Sequence, residues 1–145
     1  MPTCTFFGHG NSYGLKETVV QEAVENLIHQ GVDTFYVGNH GNFDGMVYAC
    51  LKRLRKQYPH IRVAVVLAYL PTQNREFENT SDTMYPEGLE LGLPRFAIER
   101  RNRWMIAASQ FCVCYVNYTW GGAYKFAKLA KRRGLTCINL GELDV

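Results

Sequence analysis

The sequence lacks any apolar run long enough to cross a membrane, and its first ten residues, MPTCTFFGHG, do not have the layout of a signal peptide. It also lacks internal repeats, low-complexity tracts and linker-like segments. We therefore expect a cytoplasmic protein with no membrane partner, in which residues 1–145 form a single domain. An apolar share of 47% and a charged share of 20% are globular values, so such a domain can build its core without disulfides.

The cysteine pattern and the net charge argue against further classes of protein. The five cysteines are an odd number, contain no CxxC pair and lie mostly in strand-like runs, so we expect reduced, buried thiols. Cys112 and Cys114 share one face of a predicted strand, which favours packing over metal binding or redox chemistry. The net charge of +3 is too small to indicate a nucleic-acid partner.

Strand-like runs alternate with helical patterns along the chain. Strands are predicted near residues 3–7, 33–37, 61–69, 111–118 and 136–140. Helices are predicted over residues 15–30, 43–58 and 123–133, and around ERRNRWM before the fourth strand. This alternation predicts an α/β fold, a Rossmann-like doubly wound sheet of about five parallel strands with helices on both faces. The stretch Pro71 to Pro94 shows no periodicity and is predicted to be a long loop, as lids and binding loops often are.

Three glycine-containing turns follow predicted strands. They are Gly8-His9-Gly10, Gly38-Asn39-His40-Gly41 and Thr119-Trp120-Gly121-Gly122. Ligands in such sheets bind outside the carboxyl ends of the strands, so the fold brings the three turns to one site. The last turn also precedes a helix, and a strand, a glycine turn and a helix N-terminus together favour an anion. The alternative is that these glycines only form tight turns.

Polar side chains near these turns are the other site candidates. Arg101 and Asn102 can bind phosphate or ribose, or can lie on a solvated helix face, because the apolar positions of their helix point to another side. His9 and His40 can bind a base or ribose, or stabilise the turns. No third ligand has metal-binding spacing, so we expect no metal.

Asp44 can accept a hydrogen bond from ribose, or can simply suit the start of its helix. Trp120 and Tyr118 can stack on a base, or belong to a core or interface. The predicted ligand-binding residues are Gly8, His9, Gly10, Gly38, Asn39, His40, Asp44, Arg101, Asn102, Trp120, Gly121, Gly122 and Ala123.

Four segments in order, FFGHG, FYVGNHGNFD, ERRNRWM and WGGA, resemble the SLOG superfamily. This Rossmann-like group includes the LOG phosphoribohydrolases, the DNA-processing protein DprA and the YpsA-like proteins. The resemblance covers nearly the whole chain. It implies a nucleotide or nucleotide-sugar ligand at the carboxyl edge of the sheet, and it permits an NAD-derived or cyclic nucleotide signal.

The chain departs from the LOG pattern at one position. LOG hydrolases carry an arginine in an RKxxM-like helix, which Arg101 matches best, and a glutamate after a PGGxGTxxE turn. No acid stands where the catalytic glutamate would fall after Gly121 and Gly122, so we expect binding without turnover and without a cofactor. The alternatives are an N-glycosidase or phosphoribohydrolase-like enzyme that uses Glu87, Glu90 or Glu99, and a DprA-like DNA or protein interaction module.

We also expect a homodimer or a higher homo-oligomer. SLOG-like relatives often form dimers, and the helix region before the fourth strand has more apolar residues than one small sheet covers. These include Phe96, Trp104 and Ile106.

Overall fold

The computed structural model describes residues 2–69 and 82–145. In these ranges the elements are β1 (Thr3–Gly8), α1 (Glu17–His29), β2 (Thr34–Val37), α2 (Gly41–Gln57), β3 (Arg62–Val66), β4 (Thr83–Met84), α3 (Ala97–Ala107), β5 (Phe111–Tyr115), α4 (Gly121–Arg132) and β6 (Thr136–Asn139). A short 3₁₀ helix, Pro94–Phe96, leads into α3.

The strands form one parallel sheet in the order β4-β3-β2-β1-β5-β6. The chain builds outward from β1 to β4, then crosses back and places β5 on the other side of β1. The predicted Rossmann-like α/β fold is therefore confirmed. The direction of winding reverses between β1 and β5, and a crevice for ligands opens at such a switch point.

Within residues 2–69 and 82–145 the sheet has six strands, one more than the five we predicted. The additional strand, β4, has only two residues and pairs with Val65 and Val66, so it is too short to show a period in the sequence. It lies within the predicted long loop, of which residues 71–81 lie outside the described residues. Strands β3 and β5 also end earlier than predicted, because the apolar runs continue as buried residues past the last paired position, at Leu67 and Val116.

Successive side chains of a strand point to opposite faces of the sheet, so each face has its own hydrophobic core. Helices α1 and α2 cover one face, where Phe6 and Phe35 are fully buried. Helices α3 and α4 cover the other face, where Cys112 and Cys114 pack with Met105. All five cysteines are free and all except Cys137 are buried, in line with the prediction for the thiols.

The apolar surface that led us to expect a dimer is mostly covered within the chain. Ile106 is only 3% exposed, and the Trp104 ring packs against Tyr36 with centroids 5.2 Å apart. Phe96 is exposed as predicted, but it is the only one of the three named apolar residues that is. The homo-oligomeric state therefore stays a prediction. No helix within residues 2–69 and 82–145 is both long enough and apolar enough to span a membrane.

Gly8 leaves room for the packing of α2 on β1. A Cβ atom at Gly8 would overlap the ring of Phe43, which is fully buried. We expect Gly8→Ala to lower the free energy of unfolding by about 1–3 kcal/mol, as overpacking does. In Gly10→Ala, the matched control, the new Cβ has no heavy atom within 4 Å. Urea denaturation of both variants checks this expectation, and equal effects would contradict it.

Candidate functional site

A cavity of about 380 Å³ opens at the carboxyl edge of the sheet, between the segments that follow β1, β2 and β5. The predicted residues that line it are Gly8, His9, Gly10, Gly38, His40, Asp44, Arg101, Asn102, Gly121, Gly122 and Ala123. The fold thus brings together residues from all three glycine turns and from the ERRNRWM helix. Six apolar or aromatic residues complete the lining, namely Phe6, Phe7, Ile98, Met105, Tyr118 and Phe126.

Two predicted residues lie outside this lining. Asn39 borders a neighbouring depression, and its Oδ1 accepts a hydrogen bond of 3.2 Å from Arg101 Nη1. Trp120 is 66% exposed and stacks on Tyr118, with ring centroids 4.1 Å apart. Tyr118 itself lines the cavity and stacks in turn on His9, with centroids 3.8 Å apart.

The glutamates considered as catalytic candidates do not line the cavity. Glu87 and Glu90 are exposed residues of the segment before α3. Glu99 forms ion pairs with Lys125 and Arg103 at the surface. Within the described residues, Asp44 is the only acidic residue in the lining.

Arg101 is buried, contrary to the expectation that the arginines point away from the packed side of their helix. It is only 2% exposed because it shares a helix face with Ala97 and Met105, which lie one turn before and one turn after it. By contrast, the apolar residues Phe96 and Ile98 are 46% and 36% exposed.

The Arg101 guanidinium connects three parts of the chain. Nη1 donates to the Val66 carbonyl at 2.9 Å and to Asn39, Nε donates to Asn102 Oδ1 at 2.7 Å, and Nη2 lies 3.4 Å from His40 Nδ1. None of the ion pairs formed within residues 2–69 and 82–145 involves Arg101. Burial lowers its pKa, but arginine stays protonated at neutral pH. A buried positive charge that forms no ion pair with any described residue therefore lines the cavity.

The N-terminus of α4 adds a second positive feature. Helices α1, α2 and α3 each carry an acid in the first turn, Glu17, Asp44 and Glu99, whereas α4 carries none and has no side-chain cap. Its first residue is Gly121, two positions earlier than predicted, with a φ of 88° that favours glycine. The positive end of the helix dipole is thus left uncompensated at the cavity.

His9 and Asn102 present further donors. His9 Nε2 accepts a hydrogen bond of 2.9 Å from the Asn117 backbone N–H, so the ring proton is on Nδ1, which has no partner among the described residues. Burial lowers the pKa of His9, which keeps the ring neutral at pH 7. Asn102 Oδ1 accepts the hydrogen bond from Arg101 Nε, and the amide N–H donors of Asn102 have no partner within the same ranges. The lining is therefore rich in donors.

Gly38 lines the cavity and also has a packing role that the sequence did not predict. A Cβ atom there would lie 2.8 Å from Asp44 Oδ2 and 2.9 Å from Arg101 Cζ, so this glycine makes room for two side chains. Gly10, Gly121 and Gly122 have no heavy atom within 4 Å of the Cβ position, which leaves space for a ligand.

Comparison with models of known protein families and with curated proteins gave no match. Membership of the SLOG superfamily therefore stays a prediction based on the four segments. In residues 2–69 and 82–145, no three His, Cys, Asp or Glu side chains are grouped so that they could hold a metal ion. The function of the cavity has to be argued from its own geometry.

Asp44 lowers the stability of the fold at neutral pH. Its burial raises the carboxyl pKa from 3.8 to about 6, although the His40 backbone N–H and Arg101 act in the opposite direction. Between these pH values the folded state binds more protons than the unfolded state, so stability falls as the pH rises. The ionised carboxylate is thus an energetic cost, which is typical of residues kept for function rather than stability.

We expect Asp44→Asn to stabilise the protein relative to the parent, because the amide oxygen can still accept the His40 N–H without a charge. The gain in the free energy of unfolding should be absent near pH 3.5 and grow between pH 4 and 6 to a value on the order of 2–3 kcal/mol. Urea denaturation at several pH values measures it. Glu99→Gln is the control with the opposite expected effect. Because Lys125 lowers the Glu99 pKa, ionised Glu99 stabilises the fold, and its loss should not raise the free energy of unfolding. A gain that does not change with pH would show that Asp44 is not the group responsible.

Proposed function

We propose that this is a cytoplasmic protein that binds a nucleotide or nucleotide-derived ligand, such as an NAD-derived or cyclic nucleotide signal, and senses or sequesters it without turnover. The ligand phosphate lies against Arg101 and the N-terminus of α4, in the crevice between β1 and β5. The observation that carries this proposal is the buried guanidinium of Arg101, which lines the cavity and forms no ion pair within the described residues.

A phosphate is the group that best complements this lining. An unpaired buried charge is costly, and an anionic ligand supplies the missing counter-ion. The oxygens of a phosphate can accept hydrogen bonds from Arg101, from Asn102 and from the backbone N–H groups that open α4. A charged hydrogen bond of this kind contributes about 1.5–3 kcal/mol.

The rest of the cavity favours a nucleotide over a bare anion. A volume of about 380 Å³ exceeds what phosphate needs and lies within the range of small-molecule sites. Ile98, Met105 and Phe126 provide apolar surface beside the donors, and Tyr118 provides an aromatic ring. The resemblance to the SLOG superfamily supports the same class of ligand.

An enzyme that cleaves an N-glycosidic bond is the second candidate, and one observation favours it. Asp44 is a carboxyl group in the lining with a pKa raised to about 6, which suits a general acid or base. Asp44, rather than Glu87 or Glu99, is thus the residue to test. No feature of the described cavity favours the third alternative, a DNA or protein interaction module.

We expect Arg101→Met to weaken nucleotide binding by roughly 10–100-fold, because the variant loses the charge and its hydrogen bonds to the phosphate. The burial of Arg101 and its bonds to Val66 and Asn39 predict a lower melting temperature as well. Calorimetric titration with a panel of nucleotides, below the melting transition, measures the affinity. Arg103→Met, on the exposed side of α3, is the matched control.

Gly122→Val separates binding from folding. The new side chain meets no protein atom within 4 Å of its Cβ position, so it should project into the cavity and weaken binding with little change in melting temperature. Mass spectrometry of the recovered nucleotide decides between binding and cleavage. The proposal is wrong if no nucleotide binds the parent protein, or if both Arg101→Met and Gly122→Val bind as the parent does.

A further inference from the structure

The carboxylate of Asp44 has an unused capacity to accept hydrogen bonds. Asp44 is 9% exposed and lies in the first turn of α2, where its Oδ2 accepts the His40 backbone N–H at 3.0 Å. Its Oδ1 accepts no hydrogen bond from any of the described residues. An ionised carboxylate can accept about four hydrogen bonds, so most of this capacity remains available in the lining of the cavity.

Asp44 and Arg101 are neighbours, but they do not form an ion pair. Both groups approach the same face of Gly38, so the carboxylate oxygen and the guanidinium carbon are less than about 6 Å apart, close enough to interact through space. Arg101 directs its closest hydrogen bonds to neutral oxygens, those of Val66, Asn39 and Asn102. The wall of the cavity therefore presents a cationic donor and an anionic acceptor side by side.

This arrangement selects among phosphate ligands. A phosphate held at Arg101 is negatively charged, so it repels the ionised carboxylate of Asp44. A hydroxyl of the same ligand can instead donate a hydrogen bond to Asp44, which offsets the cost of keeping that carboxylate buried. In a nucleotide, the groups that can donate in this way next to the phosphate are the hydroxyls of the sugar.

We propose that Asp44 determines the sugar specificity of the cavity by accepting a hydrogen bond from a free ribose hydroxyl, so that the protein binds ribonucleotides in preference to deoxyribonucleotides. This inference rests on the proposed function, because it places the phosphate at Arg101. A deoxy analogue leaves the buried acceptor unpaired, and sites built to bind a hydroxyl reject such analogues strongly.

The test compares matched ligands by calorimetric titration. The probes are AMP, GMP, CMP and UMP with their 2′-deoxy and 3′-deoxy counterparts, and inorganic phosphate. For the ribonucleotide that binds, removing the hydroxyl that contacts Asp44 should weaken affinity for the parent protein roughly 10–100-fold. Asp44→Leu keeps a similar shape without polar atoms, and it should bind the ribo and deoxy forms within about twofold of each other.

The deoxy form distinguishes a specificity role from a structural one. Without the repulsive carboxylate, Asp44→Leu should bind the deoxynucleotide at least as tightly as the parent does, whereas a merely structural loss would weaken both forms. If Asp44→Leu does not fold, Asp44→Asn is the second variant and should reduce the preference for ribose. Glu99→Gln, which alters a surface ion pair, should leave the preference unchanged.

Two outcomes would overturn the inference, and they can be told apart. If the parent binds ribo and deoxy forms equally, Asp44 does not read the sugar, although the proposed nucleotide function stands. If neither the nucleotides nor inorganic phosphate bind, the proposed function fails and this inference fails with it.

Discussion

The buried guanidinium of Arg101 is the interaction on which the arrangement of the site depends. It comes from α3, but its hydrogen bonds go to the end of β3, to the turn after β2 and to its own neighbour Asn102. The end of β3 and the turn after β2 are both far from Arg101 in sequence. Because these bonds leave two nitrogens, Nη1 and Nε, of one rigid planar group, the relative positions of the bonded segments are fixed by the geometry of that group. Arg101 is thus a structural connector and the centre of positive charge in the cavity.

The charges around the cavity are unevenly placed, and this asymmetry defines what the cavity can bind. Arg101 has no acidic partner among the described residues, and α4 has no acid in its first turn. The one carboxyl of the described lining, Asp44, is held near Arg101 without touching it. A protein selected for stability alone would pair these charges or replace them, since unpaired buried charges are destabilising. These buried charges are physically reasonable in a site where a bound ligand supplies the missing hydrogen-bond and ionic partners.

The sequence predicted the fold and the meeting of the three glycine turns, because strand and helix periodicities and the rules of parallel sheets determine both. It did not predict which side of α3 faces inward. Arginine is seldom buried, so the polar residues were assigned to the solvent side, and only the tertiary partners at Val66 and Asn39 show otherwise. The packing constraints at Gly8 and Gly38 were not predicted either, since they come from the tertiary positions of Phe43, Asp44 and Arg101. Strand β4 is too short for any pattern to indicate it.

The order of the strands has a consequence for how the protein forms as it is synthesised. The central strand β1 is made first, and it pairs on one side with β2, where Cys4 lies opposite Phe35. Its other side pairs with β5, which is synthesised much later and where Phe111 lies opposite Cys4. Contacts this distant in sequence form slowly, and one edge of β1 stays unpaired on the ribosome until β5 has emerged. The crevice between β1 and β5 is therefore absent from any nascent chain that ends before β5.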